Sequence, residues 1–405
     1  MSHNYTLPCY LPDTMDTPRP THPDTALPLL TPAERVRYHR HILLPSLGET
    51  GQRRLRAARI LLVGAGGLGA PAALYLAAAG VGTLGLAEFD TVDITNLQRQ
   101  ILYGESDVGH SKLAAATRQV RRLNSGVCVK NHSMRLDASN AAEIIARYDI
   151  VVDGSDNFAT HYLINDACVL LGRPCVHGSI HRFEGQISVF AYNGGPCYRC
   201  LFPAPPEPGS VSNCAEAGVL GVLPGIVGSI QATEAIKIAA DVGTSLSGRL
   251  LVFDALGMQF REIRLRRSVH CPVCGNEPVI RSIHDTRATC SSSTTERKPV
   301  SVPELDVKTL KTRLDANDNI QLIDVREPHE RELCHIGGEL IPVDQIPAQI
   351  ERIDRTRDVI IYCRTGVRSA QVVSWLLRNG FDNVWNLRGG LHAWSREIDP
   401  TVPRY

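Results

Sequence analysis

The chain has 405 residues, 43% apolar and 21% charged, with a formal net charge of +1. These are the fractions of ordinary globular protein, and the length allows two to three domains. A near-neutral balance without a basic block excludes the electrostatic footprint of direct binding to nucleic acid or an anionic membrane. With no apolar run long enough to span a bilayer and no basic-then-apolar leader, a cytoplasmic location is expected, and the 12 cysteines point to metal and thiol chemistry rather than a disulfide framework.

Residues 1–30 carry six prolines among Thr, Asp and His with no apolar period, which predicts a disordered arm. Thr31 followed by Pro32 reads as an N-cap with proline at the first helical position, so folded structure is expected from there. Between residues 31 and 275, strand-like and helix-like segments alternate, the pattern of an α/β fold on a largely parallel sheet. Residues 276–300 break it with a Ser/Thr-rich, charged stretch and read as a linker. Residues 301–405 form a second, smaller α/β unit.

The first domain is organised around Arg59–Gly69. An apolar, β-branched run enters Gly64-x-Gly66-x-x-Gly69 and leaves through an Ala/Leu-rich segment, which reads as strand, tight turn and helix. Such a Rossmann-like turn lets phosphates approach the backbone, and the helix N-terminus beyond it offers unpaired N–H groups and a partial positive charge. A second strand follows and places Glu88 at the distance expected of a ribose ligand.

Asn96, Arg99 and Gln100 come soon after that strand, and Lys112 a little later. Asp156 closes another apolar strand, at the carboxyl edge where open α/β sheets bind ligands. A carboxylate there can hold Mg²⁺ together with nucleotide phosphates, and neighbouring cations can stabilise a leaving pyrophosphate.

Cys197-x-x-Cys200 and Cys271-x-x-Cys274 offer four thiolates, enough to close a tetrahedral Zn²⁺ shell with no position open for water, so a structural site is expected. Cys214 belongs to neither pair and precedes a small-residue stretch expected to be a mobile loop. To act as a thiolate it needs an accessible, electropositive site.

In the second unit, Cys363 ends an apolar strand and leads through Arg364, Gly366 and Arg368 into a helix. Backbone N–H groups, the helix dipole, Arg364 and Arg368 all favour an anion there, lowering a thiol pKa and stabilising a persulfide. Cysteine phosphatases use Cys-x₅-Arg, whereas here that position is Ser369 and the arginine comes one residue early.

Together the glycine loop, the segment carrying Asn96 and Arg99, the Gly-Ser-Asp-Asn run ending at Asn157 and the two CxxC pairs resemble the E1-like adenylyltransferases that activate ubiquitin-fold sulfur carriers. The resemblance spans about residues 37–275. The tail resembles a rhodanese domain and carries that family's Asp324–Arg326 motif, so the whole is similar to the two-domain adenylyltransferase/sulfurtransferase type associated with molybdopterin synthase. The resemblance implies MgATP at Gly67, Glu88, Asn96, Arg99, Lys112, Asp156 and Asn157, with Glu88 standing where the family usually has Asp. It implies a homodimer in which Arg40 enters the partner's site, zinc on the four cysteines, and Cys214 as thioester nucleophile or resolving thiol. The implied reaction adenylylates the C-terminal Gly-Gly carboxylate of a ubiquitin-like sulfur carrier, and a Cys363 persulfide then converts it to a thiocarboxylate. The sulfur donor could be a cysteine desulfurase or thiosulfate, and the pathway could be molybdopterin synthesis, tRNA thiolation or another. A flexible linker of about 25 residues spans roughly 25–30 Å, enough for the second unit to reach an adenylation site. Two alternatives stand beside this reading: an NAD-dependent dehydrogenase, and a non-catalytic scaffold for a ubiquitin-like partner.

Overall fold

The computed structural model describes residues 27–205, 218–283 and 302–404. Cys214 and most of the expected arm and linker lie outside the described residues. The described chain forms two compact units that divide between residues 293 and 294. Among the described residues no helix is long and apolar enough to cross a membrane.

The first unit opens with a capping box: Thr31 Oγ1 accepts from Glu34 N–H, and Glu34 accepts from Thr31 N–H, at the start of the helix Pro32–Arg37. Ordered packing begins a little earlier, since Leu27 and Leu30 are buried. Eight strands follow: β1 (Arg59–Val63), β2 (Thr83–Ala87), β3 (Cys128–His132), β4 (Ile150–Asp153), β5 (Cys175–His181), β6 (Glu184–Phe190), β7 (Arg249–Asp254) and β8 (Gln259–Arg264). Their order is β3-β2-β1-β4-β5-β6-β7-β8. The first five are mutually parallel, and β6 to β8 extend the sheet antiparallel.

Both faces of β1 are covered, which is why its sequence is continuously apolar rather than alternating. Ile60 and Leu62 pack on one face with the helices Gly69–Ala79 and Leu223–Ala240, while Leu61 and Val63 pack on the other with the helix Phe158–Leu171. Ile280 and Ile283, in the first residues of the segment read as a linker, pack onto this unit as well.

The second unit is a five-stranded parallel sheet: β9 (Glu304–Leu305), β10 (Gln321–Asp324), β11 (Glu339–Leu340), β12 (Val359–Tyr362) and β13 (Val384–Leu387), in the order β11-β10-β12-β13-β9. Val359 and Ile361 face one core, Ile360 and Tyr362 the other. The end of β10 is braced by Asp324, whose carboxylate receives Arg326 Nε at 2.9 Å and Nη2 at 2.6 Å, with both residues fully buried.

Candidate active sites

At the carboxyl edge of the first sheet lies a cavity of about 640 Å³. The glycine loop forms one wall. Gly64 sits at φ +83°, a conformation glycine adopts without strain. A Cβ on Gly69 would lie 1.9 Å from the Gly64 carbonyl oxygen, so the loop closes only because residue 69 has no side chain. Glu88 stands at the end of β2 and reaches back to this loop: its Oε2 accepts from Ala65 N–H at 2.9 Å, and its Oε1 accepts from the N–H groups of Phe89 and Asp90. The longer side chain thus ties the strand end to the loop.

Gly67, Glu88, Arg99, Lys112, Asp156 and Asn157 all line this one cavity. Lys112, buried at the start of the helix Lys112–Leu123, bonds Asp90 at 3.0 Å. Arg99 donates to the Thr95 carbonyl at 3.0 Å. Asn157 caps the helix Phe158–Leu171 through Oδ1, accepting from Thr160 N–H and Oγ1–H. Asp156 is exposed and its carboxylate has no hydrogen-bond or ion-pair partner among the described residues, which suits a carboxylate awaiting a cation. Two expected residues fall outside the cavity lining. Asn96 uses Oδ1 to accept from Asp93 N–H in the turn Ile94–Asn96, and Arg40 is exposed on the helix His39–Ile42.

The four sulfurs of Cys197, Cys200, Cys271 and Cys274 converge, all within 4.8 Å of one another. Their measured separations are 3.5 Å (197 to 271), 3.3 Å (200 to 274) and 4.0 Å (197 to 200). Four thiolates at zinc bonding distance stand about 3.8 Å apart, so this donor set fits a tetrahedral ion. Ser268 N–H donates to Cys200 Sγ at 3.3 Å, a contact that supports a thiolate ligand. Without a cation, burial and the crowding of sulfurs push the Cys197 thiol up, and Cys274 to about 11.

In the second unit, Cys363 follows β12 at the mouth of the helix Val367–Arg378. Its Sγ accepts from Gly366 N–H at 3.1 Å and lies 3.4 Å from Ser369 Oγ. The loop's carbonyls point elsewhere: that of Cys363 accepts from Leu391 N–H and that of Arg364 from His392 N–H, both at 3.0 Å, at the start of the helix Gly390–Glu397. With those carbonyls turned away, the Gly366 N–H and the Ser369 hydroxyl face the sulfur, donors that suit an anionic sulfur.

Residues 38–273 match the ThiF family, and residues 306–397 match the rhodanese-like domain. The chain belongs to the ThiF family.

Two relatives matched over most of their length carry both activities in their names. The probable adenylyltransferase/sulfurtransferase MoeZ of Mycobacterium tuberculosis is 44% identical over 395 residues, covering 93% of this chain and 98% of that one. The adenylyltransferase and sulfurtransferase MOCS3 of Mus musculus is 43% identical over 406 residues, covering 92% and 87%. Among solved structures, Escherichia coli MccB with MccA-N7isoASN superposes with a TM-score of 0.54 at 22% identity, over 60% of this chain and 75% of that one, and shares the fold. This ThiF-family chain is therefore an enzyme of the adenylyltransferase and sulfurtransferase type.

Sequence reasoning missed three residues at the ThiF cavity: His161 and His177, which line it, and Asp153 buried behind them. Asp153, the last residue of β4, is fully buried, and its Oδ2 accepts from His161 Nδ1 at 2.7 Å and His177 Nδ1 at 3.1 Å. Burial alone would raise the Asp153 pKa, but the two imidazoles outweigh it and hold the carboxyl well below its usual range. Burial in turn lowers His177. Read from sequence, Asp156 is the acid that closes this strand, but β4 ends at Asp153, whose partners lie on a helix and on another strand, so no local spacing joins them. Gln100, also in the lining, keeps a buried Oε1 without a partner.

Proposed function

We propose that this enzyme adenylylates the C-terminal Gly-Gly carboxylate of a small ubiquitin-like sulfur carrier and then converts it to a thiocarboxylate with sulfur held on Cys363. The observation that carries the reading is the gathering of the glycine loop, Glu88, Arg99, Lys112 and an unpaired Asp156 in one cavity.

The carrier carboxylate attacks the α-phosphate of ATP and pyrophosphate leaves. A carboxylate is already nucleophilic, so the chain needs no general base for this step. Arg99 and Lys112 bind the phosphates and stabilise the charge that grows on them. Asp156 would hold Mg²⁺, which supplies further charge neutralisation at the phosphates. Arg40 of a partner subunit would complete the site in a homodimer.

The outer sulfur of a Cys363 persulfide then attacks the acyl carbon and AMP leaves, giving an acyl disulfide. Cys214 as resolving thiol would attack the Cys363 sulfur, releasing the carrier thiocarboxylate and leaving a Cys214–Cys363 disulfide for an external dithiol to reduce. The persulfide is recharged by a donor such as a cysteine desulfurase or thiosulfate. The four-cysteine centre would hold one structural Zn²⁺.

Intact mass spectrometry of Gly-Gly-terminated carriers incubated with enzyme, MgATP and a sulfur donor tests the reading. The expected product is heavier by the difference between sulfur and oxygen, and C363A should still form adenylate without that gain. An absence of both adenylate and thiocarboxylate with every carrier would overturn the Gly-Gly carrier as the substrate.

A further inference from the structure

The buried trio of Asp153, His161 and His177 plays no part in the phosphate chemistry, yet both imidazoles line the same cavity. The carboxylate is fully engaged: besides the two imidazoles on Oδ2, its Oδ1 accepts from Ser155 N–H at 3.1 Å and from Ser155 Oγ–H at 2.6 Å. Each Nδ1 must carry a hydrogen to donate to a carboxylate. In its neutral form each ring is thereby held in one tautomer, with Nε2 a bare acceptor. Neither Nε2 has a hydrogen-bond partner among the described residues.

The distances argue against a metal at this place. Ligand atoms around a tetrahedral ion with arms of about 2.0–2.1 Å stand about 3.3 Å apart. The 2.7 Å between His161 Nδ1 and Asp153 Oδ2 is the length of a charge-assisted hydrogen bond.

Sheet order says what the acceptors face. Glu88 follows β2, the glycine loop follows β1, Asp156 follows β4 and His177 lies on β5, four neighbouring strands in that order. Strands stand about 4.8 Å apart, so His177 lies one step beyond Asp156, on the side away from the ribose end. A carboxylate that meets the α-phosphate beside Asp156 approaches from this side. An extended peptide rises about 3.4 Å per residue, which puts the last main-chain N–H groups level with β5. A Gly-Gly tail has no side chains to read, so its N–H donors can be recognised only by acceptors.

Resting on the function proposed above, we propose that Asp153 fixes His161 and His177 as Nε2 acceptors for the terminal main-chain N–H groups of the carrier. They are positioning residues: they hold the carboxylate in line with the α-phosphate and take no part in bond making.

The test uses the full-length enzyme and the Gly-Gly carrier that the mass experiment identifies. The carrier is made by semisynthesis with the last or the penultimate peptide N–H replaced by an ester oxygen. In carrier-dependent ATP–pyrophosphate exchange, at least one ester should raise the carrier KM about tenfold or more while the KM for ATP stays put. H177F and H161F should raise the carrier KM for the all-amide tail by a similar factor and make the ester nearly free of further cost. H161Q, whose Oε1 falls near the lost Nε2, should recover part of the loss. The ester comparison in the unmodified enzyme does not depend on how well any variant folds. An ester penalty equal in the unmodified enzyme and in both phenylalanine variants, no ester penalty at all, or a rise in the KM for ATP instead, overturns the proposal. Two metal equivalents per chain, falling to one in H177F, would overturn it in favour of a metal site. Absence of exchange with the all-amide carrier in the unmodified enzyme overturns the adenylylation reading itself, and this proposal with it.

Discussion

Arg368 donates two hydrogen bonds of 2.7 Å to Glu330, one from each terminal nitrogen. The guanidinium that the sequence placed beside the Cys363 sulfur is thus shared with a carboxylate, and the contacts seen at Sγ come from Gly366 and Ser369. Burial raises the Glu330 pKa, but the hydrogen bonds from Arg368 outweigh it and hold the group at about 2. A depressed carboxyl contributes stability above its unfolded value, and that contribution is lost as pH falls through the folded one. The second unit should therefore weaken between about pH 5 and pH 2. All three tryptophans, Trp375, Trp385 and Trp394, lie in this unit, so their fluorescence reports it alone. Acid titration of the full chain should show this loss, and E330Q should flatten it. A variant that follows the unmodified curve would show that the pair does not govern acid stability.

The persulfide loop rests on Gly390. It sits at φ +54°, and a Cβ there would lie 2.3 Å from the Cys363 carbonyl oxygen and 2.8 Å from that of Arg364. G390A should cost about 2 kcal/mol or more, from left-handed strain and overlap with backbone that cannot yield. Tryptophan fluorescence in denaturant should show this loss, and thiocarboxylate formation should fall while carrier-dependent pyrophosphate exchange holds. Equal loss of both activities would place the effect outside the loop.

Much of this architecture was legible because its signals are local. Continuous apolar runs gave β1, β4 and β12, and the glycine spacing gave the phosphate turn, because a backbone contact as close as that of Gly69 with Gly64 forbids any side chain. The CxxC pairs announced the four sulfurs because each knuckle is local and only their meeting is tertiary. What escaped depends on partners distant in sequence. Glu330 takes Arg368 from across the second unit, and His177 meets Asp153 only because β4 and β5 are neighbours. Asn96, an ATP contact implied by the resemblance, uses its Oδ1 to accept from Asp93 N–H in its own turn, a local contact that spacing alone does not announce.

Lys112 is the cation most committed to the nucleotide cavity. It is buried, and in the absence of phosphates its ammonium is held by the exposed Asp90 carboxylate. K112A should lower carrier-dependent ATP–pyrophosphate exchange by about 10²–10³, the cost of removing one preorganised charge from a developing anion. D90N removes only the resting partner and should leave exchange within about threefold, in line with the small worth of a half-exposed ion pair. Equal losses in the two variants would mean that Asp90 positions the lysine during turnover.

The four-cysteine centre makes the last prediction. Its sulfurs sit at the spacing of a tetrahedral ion, and burial raises Cys274 to about 11 in the bare protein. Metal must displace those protons, so zinc binding by the stripped enzyme should release protons and tighten as pH rises from 6 to 8. Calorimetry in buffers of different ionisation enthalpy reads the proton count directly. The purified enzyme should hold about one zinc per chain, and C200S should lose it. Because Tyr198, between two of the ligands, also lines the cavity, loss of the ion should loosen that wall and lower the unfolding temperature of the first unit. Zinc retained in C200S, or binding without proton release, would show that these thiols do not form the closed shell their spacing implies.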